Sequence, residues 1–262
     1  DESDNIYIAS CTQSTNFPLR NAYDNNLAGE QDACFFSLNR NCSNLRFSSF
    51  LGGRENDAAY AIKIGQNDEI YITGGTRSSD FPVRNGYNTN FGGGNVDGFI
   101  SRFSRDGNNL LSSSFVGTNA YDQSYLLATD FENNIYIAGQ TRGNFPVTPN
   151  VFTNEGGSQF IQQISPNLQN VQHSTVFGSG RSTIDISLTA LMVDTCNRIF
   201  LSGWGGVINN SGLEFQAQNS MTDGLEVTSD AFRSNTDGSD FYFLVLEREM
   251  ENIIYGTFFG RL

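Results

Sequence analysis

The sequence predicts an all-β chain made of tandem repeats, and three observations predict it. A short strand running into a turn and a Phe-Pro stop recurs as IYIASCTQSTNFP (6–18), IYITGGTRSSDFP (70–82) and IYIAGQTRGNFP (135–146), with a worn copy, IFLSGWGG, at 199–206. The starts Ile6, Ile70, Ile135 and Ile199 are 64, 65 and 64 residues apart, a regularity that means an array. Other landmarks keep the same phase: DACFF at Asp32, DGFI at Asp97, SQFI at Ser158 and DFYF at Asp240, each followed by a strand that ends in Phe and Gly, at Gly53, Gly117, Gly178 and Gly260. No segment has a helical period.

Taken in order, residues 1–53 carry three strand candidates, Asn5 to Thr12, Asp32 to Asn39 and Asn44 to Leu51. The second repeat adds a fourth, DAAYAIKI from Asp57 to Ile64, which recurs as DQSYLLAT from Asp122 and DISLTALMV from Asp185. These strands are called a (Asp57 type), b (Ile70 type), c (Asp97 type) and d (Leu110 to Val116). Four antiparallel strands per unit, repeated in tandem, are the habit of a β-propeller blade. Apolar residues on both sides of strand c, Phe99 and Phe103 against Ile100, fit a sheet packed on both faces.

The repeats fall at about 1–53, 54–117, 118–178 and 179–262, read as one domain. The order is b-c-d followed by three complete a-b-c-d sets, so one innermost strand is missing for closure. Propellers commonly hold about four to eight blades, and the expectation is a segment of a larger propeller. Strand a lines the central channel of such a fold.

Composition narrows the function. With 15 basic against 28 acidic residues, net charge −13, the surface is unsuited to tracking phosphates, so nucleic acid and anionic membranes are not expected partners. Apolar runs are far shorter than the roughly 20 residues of a membrane helix, and no membrane insertion is expected. No leader with a basic start and apolar core is visible, so any signal peptide is expected to be already removed or outside this sequence. Five prolines, 27 glycines and abundant Asn and Ser point to turns built on left-handed and Asx-type positions.

Candidate sites are few. Asp57, Asp122 and Asp185 open the a strands near the channel mouth, where a ring of acids would hold calcium or serve a glycosidase. The plainer reading is that each caps its own turn. A second acidic set, Asp32, Asp97 and Asp240, opens the c strands, and Asn235, Asp237 and Asp240 in NTDGSD loosely resemble an oxygen-rich calcium loop without its closing Glu. His173, the one histidine, occupies a strand-d position held elsewhere by Phe47 and Tyr255, which reads as structural and removes multi-histidine metal sites. Cys11 and Cys34 lie on neighbouring strands and are candidates for a disulfide in an oxidising compartment, while Cys196 sits in the a-b turn of the last repeat.

Trp204 takes the slot of Gly75 and Gln140 and precedes an insertion between Gly205 and Leu225. With Asn209, Asn210 and Asp223 it would stack on a sugar; the competing reading is a plug buried between blades. Phe17, Phe81 and Phe145, each before Pro, read as structural: the ring packs over the blade edge where the strand stops.

The run DEIYITGGTRSSDFP, with GGGNVDGFISRFSRDGNNLLSSSFVG up to Gly117, is similar to the SBBP-type β-propeller repeat. The resemblance covers essentially all of the chain, and three of four copies keep Phe-Pro. In the last copy, DTCNRIFLSGWGG, NTDGSDFYFLVLE and YGTFFG resemble a variant blade of large secreted surface proteins of gliding Gram-negative bacteria. Proteins of that kind often carry PKD-type modules and a sorting signal for type IX secretion. The resemblance implies a secreted or cell-surface location and says little about activity.

The function expected is therefore that of a non-catalytic scaffold or interaction module of an adhesin-like or gliding-associated surface protein. It would bind other domains of a larger surface protein, other proteins or an extracellular polysaccharide through loops on one face. The alternative is a carbohydrate-active enzyme using channel acids such as Asp122 and Asp185.

Overall fold

A computed structural model describes residues 1–181, 183–211 and 214–260, and over 207–218 the backbone alone. Blade I is the three-stranded sheet β1 (Ile6–Thr12), β2 (Asp32–Leu38) and β3 (Leu45–Leu51). Blade II runs β4 (Asp57–Ile64), β5 (Ile70–Thr76), β6 (Asp97–Phe103) and β7 (Leu110–Val116). Blade III repeats it as β8 (Asp122–Thr129), β9 (Ile135–Thr141), β10 (Gln159–Ile164) and β11 (Val171–Phe177).

Blade IV opens with β12 (Ser187–Val193) and β13 (Ile199–Trp204), is interrupted by a separate hairpin of β14 (Val207–Ser211) and β15 (Glu214–Asn219), and closes with β16 (Phe241–Leu246) and β17 (Ile253–Phe259). Every pairing within a blade is antiparallel between sequence neighbours, apart from β13 with β16 across the inserted hairpin. The protein is thus all-β, with four blade-like sheets, as its period predicts. Among the described residues, no helix is long and apolar enough to cross a membrane.

Local chemistry sets the turns. The a-b turns put Asp4, Asp68, Asn133 and Asn197 at φ 60, 58, 63 and 60, the left-handed region that Asn and Asp tolerate best. Asp130 and Asp194 brace two of these turns, each accepting backbone N–H groups from the residues that follow. The Phe-Pro stops pack as expected: Phe81 lies 4.4 Å from Phe99 and Phe145 stacks 4.1 Å from Phe160, centroid to centroid.

Apolar layers join consecutive blades. Phe35 and Leu51 of blade I pack with Ile70, Ile72 and Phe99 of blade II. Ile100 and Val116 of blade II pack with Ile135, Ile137 and Phe160 of blade III. Ile161 and Phe177 of blade III pack with Ile186, Ile199 and Leu201 of blade IV. The strands β4, β8 and β12 lie side by side. A register shift in each leaves Tyr60, Tyr125 and Thr189 as extra residues, and the Tyr60 and Tyr125 rings stack at 5.0 Å.

Candidate functional site

The two acidic sets meet in pairs at the blade junctions rather than forming a ring. At the first junction Asp32 accepts from the N–H groups of Ala28 and Gly29 at 2.8 and 3.0 Å. Asp57, fully buried, accepts from Gly53 N at 2.7 Å and Ser78 Oγ at 2.9 Å. Burial pushes the Asp57 carboxyl up to about 7, with the nearby Asp32 adding to the rise. At the second junction Asp97 accepts from Gly92 N at 2.6 Å, and Asp122 from Thr118 N and Oγ1 at 2.6 and 2.7 Å. Burial, reinforced by Asp122, lifts Asp97 to about 7, and burial also raises Asp122.

The third junction swaps one acid for a hydroxyl: Ser158 Oγ donates to Asp185 at 3.0 Å, and Arg181 pairs with the same carboxylate at 2.8 Å. At this junction a hydrogen bond crosses from the start of strand c in one blade to the start of strand a in the next, whereas Asp32, Asp57, Asp97 and Asp122 are held by donors of nearby turns. Among the described residues, no three His, Cys, Asp or Glu side chains gather as a metal site. The calcium and glycosidase readings of Asp57, Asp122 and Asp185 meet a physical obstacle: all three are fully buried, and each carboxylate accepts hydrogen bonds from protein donors. The NTDGSD loop does not converge either. Asp237 accepts from Ser239 N at 2.8 Å in an Asx turn, Asn235 is exposed, and Asp240 points inward to Gly260.

Cys11 and Cys34 correct the disulfide expectation. Both are free: Cys11 stands opposite Ala33 and Cys34 opposite Ser10, one step apart in register, so they face opposite sides of the sheet. His173 lies half-buried on β11 opposite Gln163.

The surface that stands out is on blade IV. Trp204, Phe241 and Phe259 face one another across β13, β16 and β17, and they are 36%, 48% and 56% exposed. Phe243, on the same face of β16, lies 6.4 Å from both Phe241 and Phe259. Phe232 adds its ring at 5.9 Å from Phe259. The positions equivalent to Phe243 and Phe259 are Ile100 and Val116 in blade II and Ile161 and Phe177 in blade III, all buried in the layer against the next blade. Blade IV therefore presents openly the face that the other blades cover.

Trp204 is accordingly not a buried plug. Its indole folds back over Gly206, where a Cβ would sit 1.9 Å from the ring, so only glycine leaves room. The proposed sugar set is not assembled around it: Asp223 pairs with Arg181 at 2.8 Å, and the side chains of Asn209 and Asn210 lie outside the described residues. The insertion after Trp204 contains the β14–β15 hairpin. The alternation in EFQAQ, following Asn-Ser-Gly in the sequence, was the available signal.

Comparison with known proteins fits this architecture. The SBBP family model, described as a β-propeller repeat, matches residues 112–146, from β7 through β8 and β9 to the Phe-Pro stop. No curated protein matches. Among solved structures, MPT-4, a mannose phosphorylase from Leishmania mexicana in complex with phosphate ion, is similar over 88% of this chain at 9% identity with a TM-score of 0.32. The chain spans 64% of that protein's length, and a likeness at this level carries no argument about activity. Residues 112–146 thus match the β-propeller repeat, within a chain whose described residues form four blade-like sheets and a separate hairpin.

Proposed function

We propose that the chain is a non-catalytic scaffold and interaction module, and that it binds a protein partner through the aromatic face of blade IV rather than through loops. The observation that carries this reading is the exposed group Trp204, Phe241, Phe243 and Phe259 at positions where blades II and III are closed. Contiguous exposed aromatic surface marks an interaction site, and flat rings on rigid strands lose little conformational freedom on binding. The partner that fits is another β-sheet unit with an apolar face, because such a sheet covers the same positions at each of the three existing junctions. The secreted or cell-surface setting rests on the resemblance to SBBP-type surface proteins.

The carbohydrate-active alternative is disfavoured by the burial of Asp122 and Asp185. A general acid or nucleophile must reach its substrate.

The test compares the wild-type chain with Phe243→Ser/Phe259→Ser. A partner captured from the cell-surface fraction and then purified should bind wild type and bind the double variant at least about tenfold more weakly, at unchanged melting temperature. Equal binding by both chains contradicts the reading. So does turnover of a glycan panel by wild type that is lost in Asp122→Asn/Asp185→Asn.

A further inference from the structure

The cleft between neighbouring blades opens beside strand d at two successive junctions, and the two openings are built alike. Between blades II and III a cavity of about 270 Å³ is lined by Tyr87, Pro146, Thr148 and Val171. One repeat earlier, between blades I and II, a cavity of about 400 Å³ is lined by Tyr23, Pro82, Arg84 and Leu110. The residues correspond. Tyr23, Pro82 and Arg84 stand 64 places before Tyr87, Pro146 and Thr148, and Leu110 and Val171 each open strand d of their blade.

The two grooves use their polar groups differently. In the later one Tyr87 Oη donates to Gln162 Oε1 at 2.9 Å, and Thr148 Oγ1 accepts from Ser174 N at 3.0 Å, so the lining is satisfied from within. In the earlier one Ser101 takes the place of Gln162, and its short side chain pairs with Ser113 Oγ at 2.8 Å. Tyr23 Oη and the Arg84 guanidinium are left with no hydrogen-bond or ion-pair partner among the described residues. The two lie near each other: burial and then Asp24 raise the Tyr23 hydroxyl above its ordinary value, and Arg84 opposes the rise. The Tyr23 ring is held edge-on to Phe103 at 5.3 Å.

Asn108 and Asn109, exposed in the turn between β6 and β7, complete the groove. Asn109 Nδ2 donates to Asn108 Oδ1, which leaves the Nδ2 of Asn108 and the Oδ1 of Asn109 for a ligand.

These groups fit one chemistry. A guanidinium beside a phenol hydroxyl receives a carboxylate. An immobilised aromatic ring, with Pro82 and Leu110 beside it, takes the C–H face of a pyranose. A free amide donor and a free amide acceptor match hydroxyls, which do both. The volume falls within the range of about 300–1,000 Å³ usual for small-ligand sites. The net charge of −13 narrows the class again, since a densely charged polyanion is repelled by the chain as a whole, whereas at a screening length of about 8 Å a single carboxylate feels mainly Arg84.

We propose that the groove between blades I and II binds a uronic-acid unit of an acidic polysaccharide. Its carboxylate meets Arg84 and Tyr23 Oη, its ring lies against Tyr23, and its hydroxyls meet Asn108 and Asn109. The groove between blades II and III, with Thr148 in the arginine position and Tyr87 already bonded, does not take this unit. The site shares no residue with the aromatic face of blade IV and does not depend on it.

The test titrates the whole chain calorimetrically with oligomers of galacturonate, glucuronate and mannuronate. At least one should bind saturably. Its methyl ester, which keeps the ring and its hydroxyls and removes the charge, should bind about tenfold or more weakly. Arg84→Thr, which copies the next groove, should lose a similar factor at unchanged melting temperature, and Tyr23→Phe about threefold or more. Phe243→Ser/Phe259→Ser should bind as wild type does.

Absence of saturable binding by all three oligomers overturns the proposal, as does equal affinity for acid and ester or indifference to Arg84→Thr. Arg84-dependent binding of a short peptide through its free C-terminal carboxylate, tighter than that of any of the three oligomers, also overturns it, because the groove would then belong to a chain end.

Discussion

Asp57 shows how a single side chain sets a property of the fold. Its Oδ2 takes two hydrogen bonds while its buried Oδ1 has no partner, and burial lifts its carboxyl to about 7. The folded state therefore binds a proton that the unfolded chain releases near its ordinary value. Stability from this group is present at the acidic end of the interval between about 4 and 7, and it is lost as pH rises through about 7. Asp57→Asn keeps an oxygen for the Gly53 and Ser78 donors and puts an uncharged group in the unpartnered place. The variant's stability should fall less than that of wild type between pH 5 and pH 8, by on the order of 2 kcal/mol, in denaturant titrations at the two pH values. Equal slopes would remove Asp57 as the source.

The acids were legible as turn-cappers from their place at strand starts. Their pairing was not, because it joins strand c of one blade to strand a of the next, a contact that no spacing within a repeat encodes. Trp204 was misplaced for a related reason. Its slot is closed in the blade holding Gln140 by the blade that follows, and blade IV has no such cover among the described residues.

Among the elements, the strands were the most legible. Leu110–Val116 and Asp57–Ile64 stand as read, because four copies in phase fix register and limits better than any one copy. The hairpin β14–β15 was not foreseen, since it occurs in one repeat only and pairs solely with itself. The unequal burial of β1 and β5, near-identical in sequence pattern, comes from their neighbours: β5 has β4 beside it and the preceding blade, blade I, packed on Ile70 and Ile72, and among the described residues β1 has neither kind of neighbour. Half of the β1 amides face β2 and half face the open edge. Hydrogen exchange should therefore be at least about tenfold faster at the outward-facing amides of β1 than at the matching amides of β5, and uniform protection of the two strands would mean that the edge is covered.

In the whole molecule, one interface is used three times and then left open. Each junction combines an apolar layer with one or two buried acids, and Asp240, buried beside Gly260 with Oδ2 unpartnered, lies next to the aromatic face. The same repeat logic that makes the fold readable also makes the aromatic face of blade IV stand out, because the equivalent positions of blades II and III are buried.

The most direct measurement follows from the chain having a single tryptophan, placed on that face. Acrylamide quenching of Trp204 fluorescence reports its exposure without any labelling. The account predicts red-shifted, readily quenched emission from the free chain, becoming shielded when the partner binds. Blue-shifted emission protected from acrylamide in the free, monomeric chain would mean that Trp204 is packed inside, and the open face of blade IV would not exist.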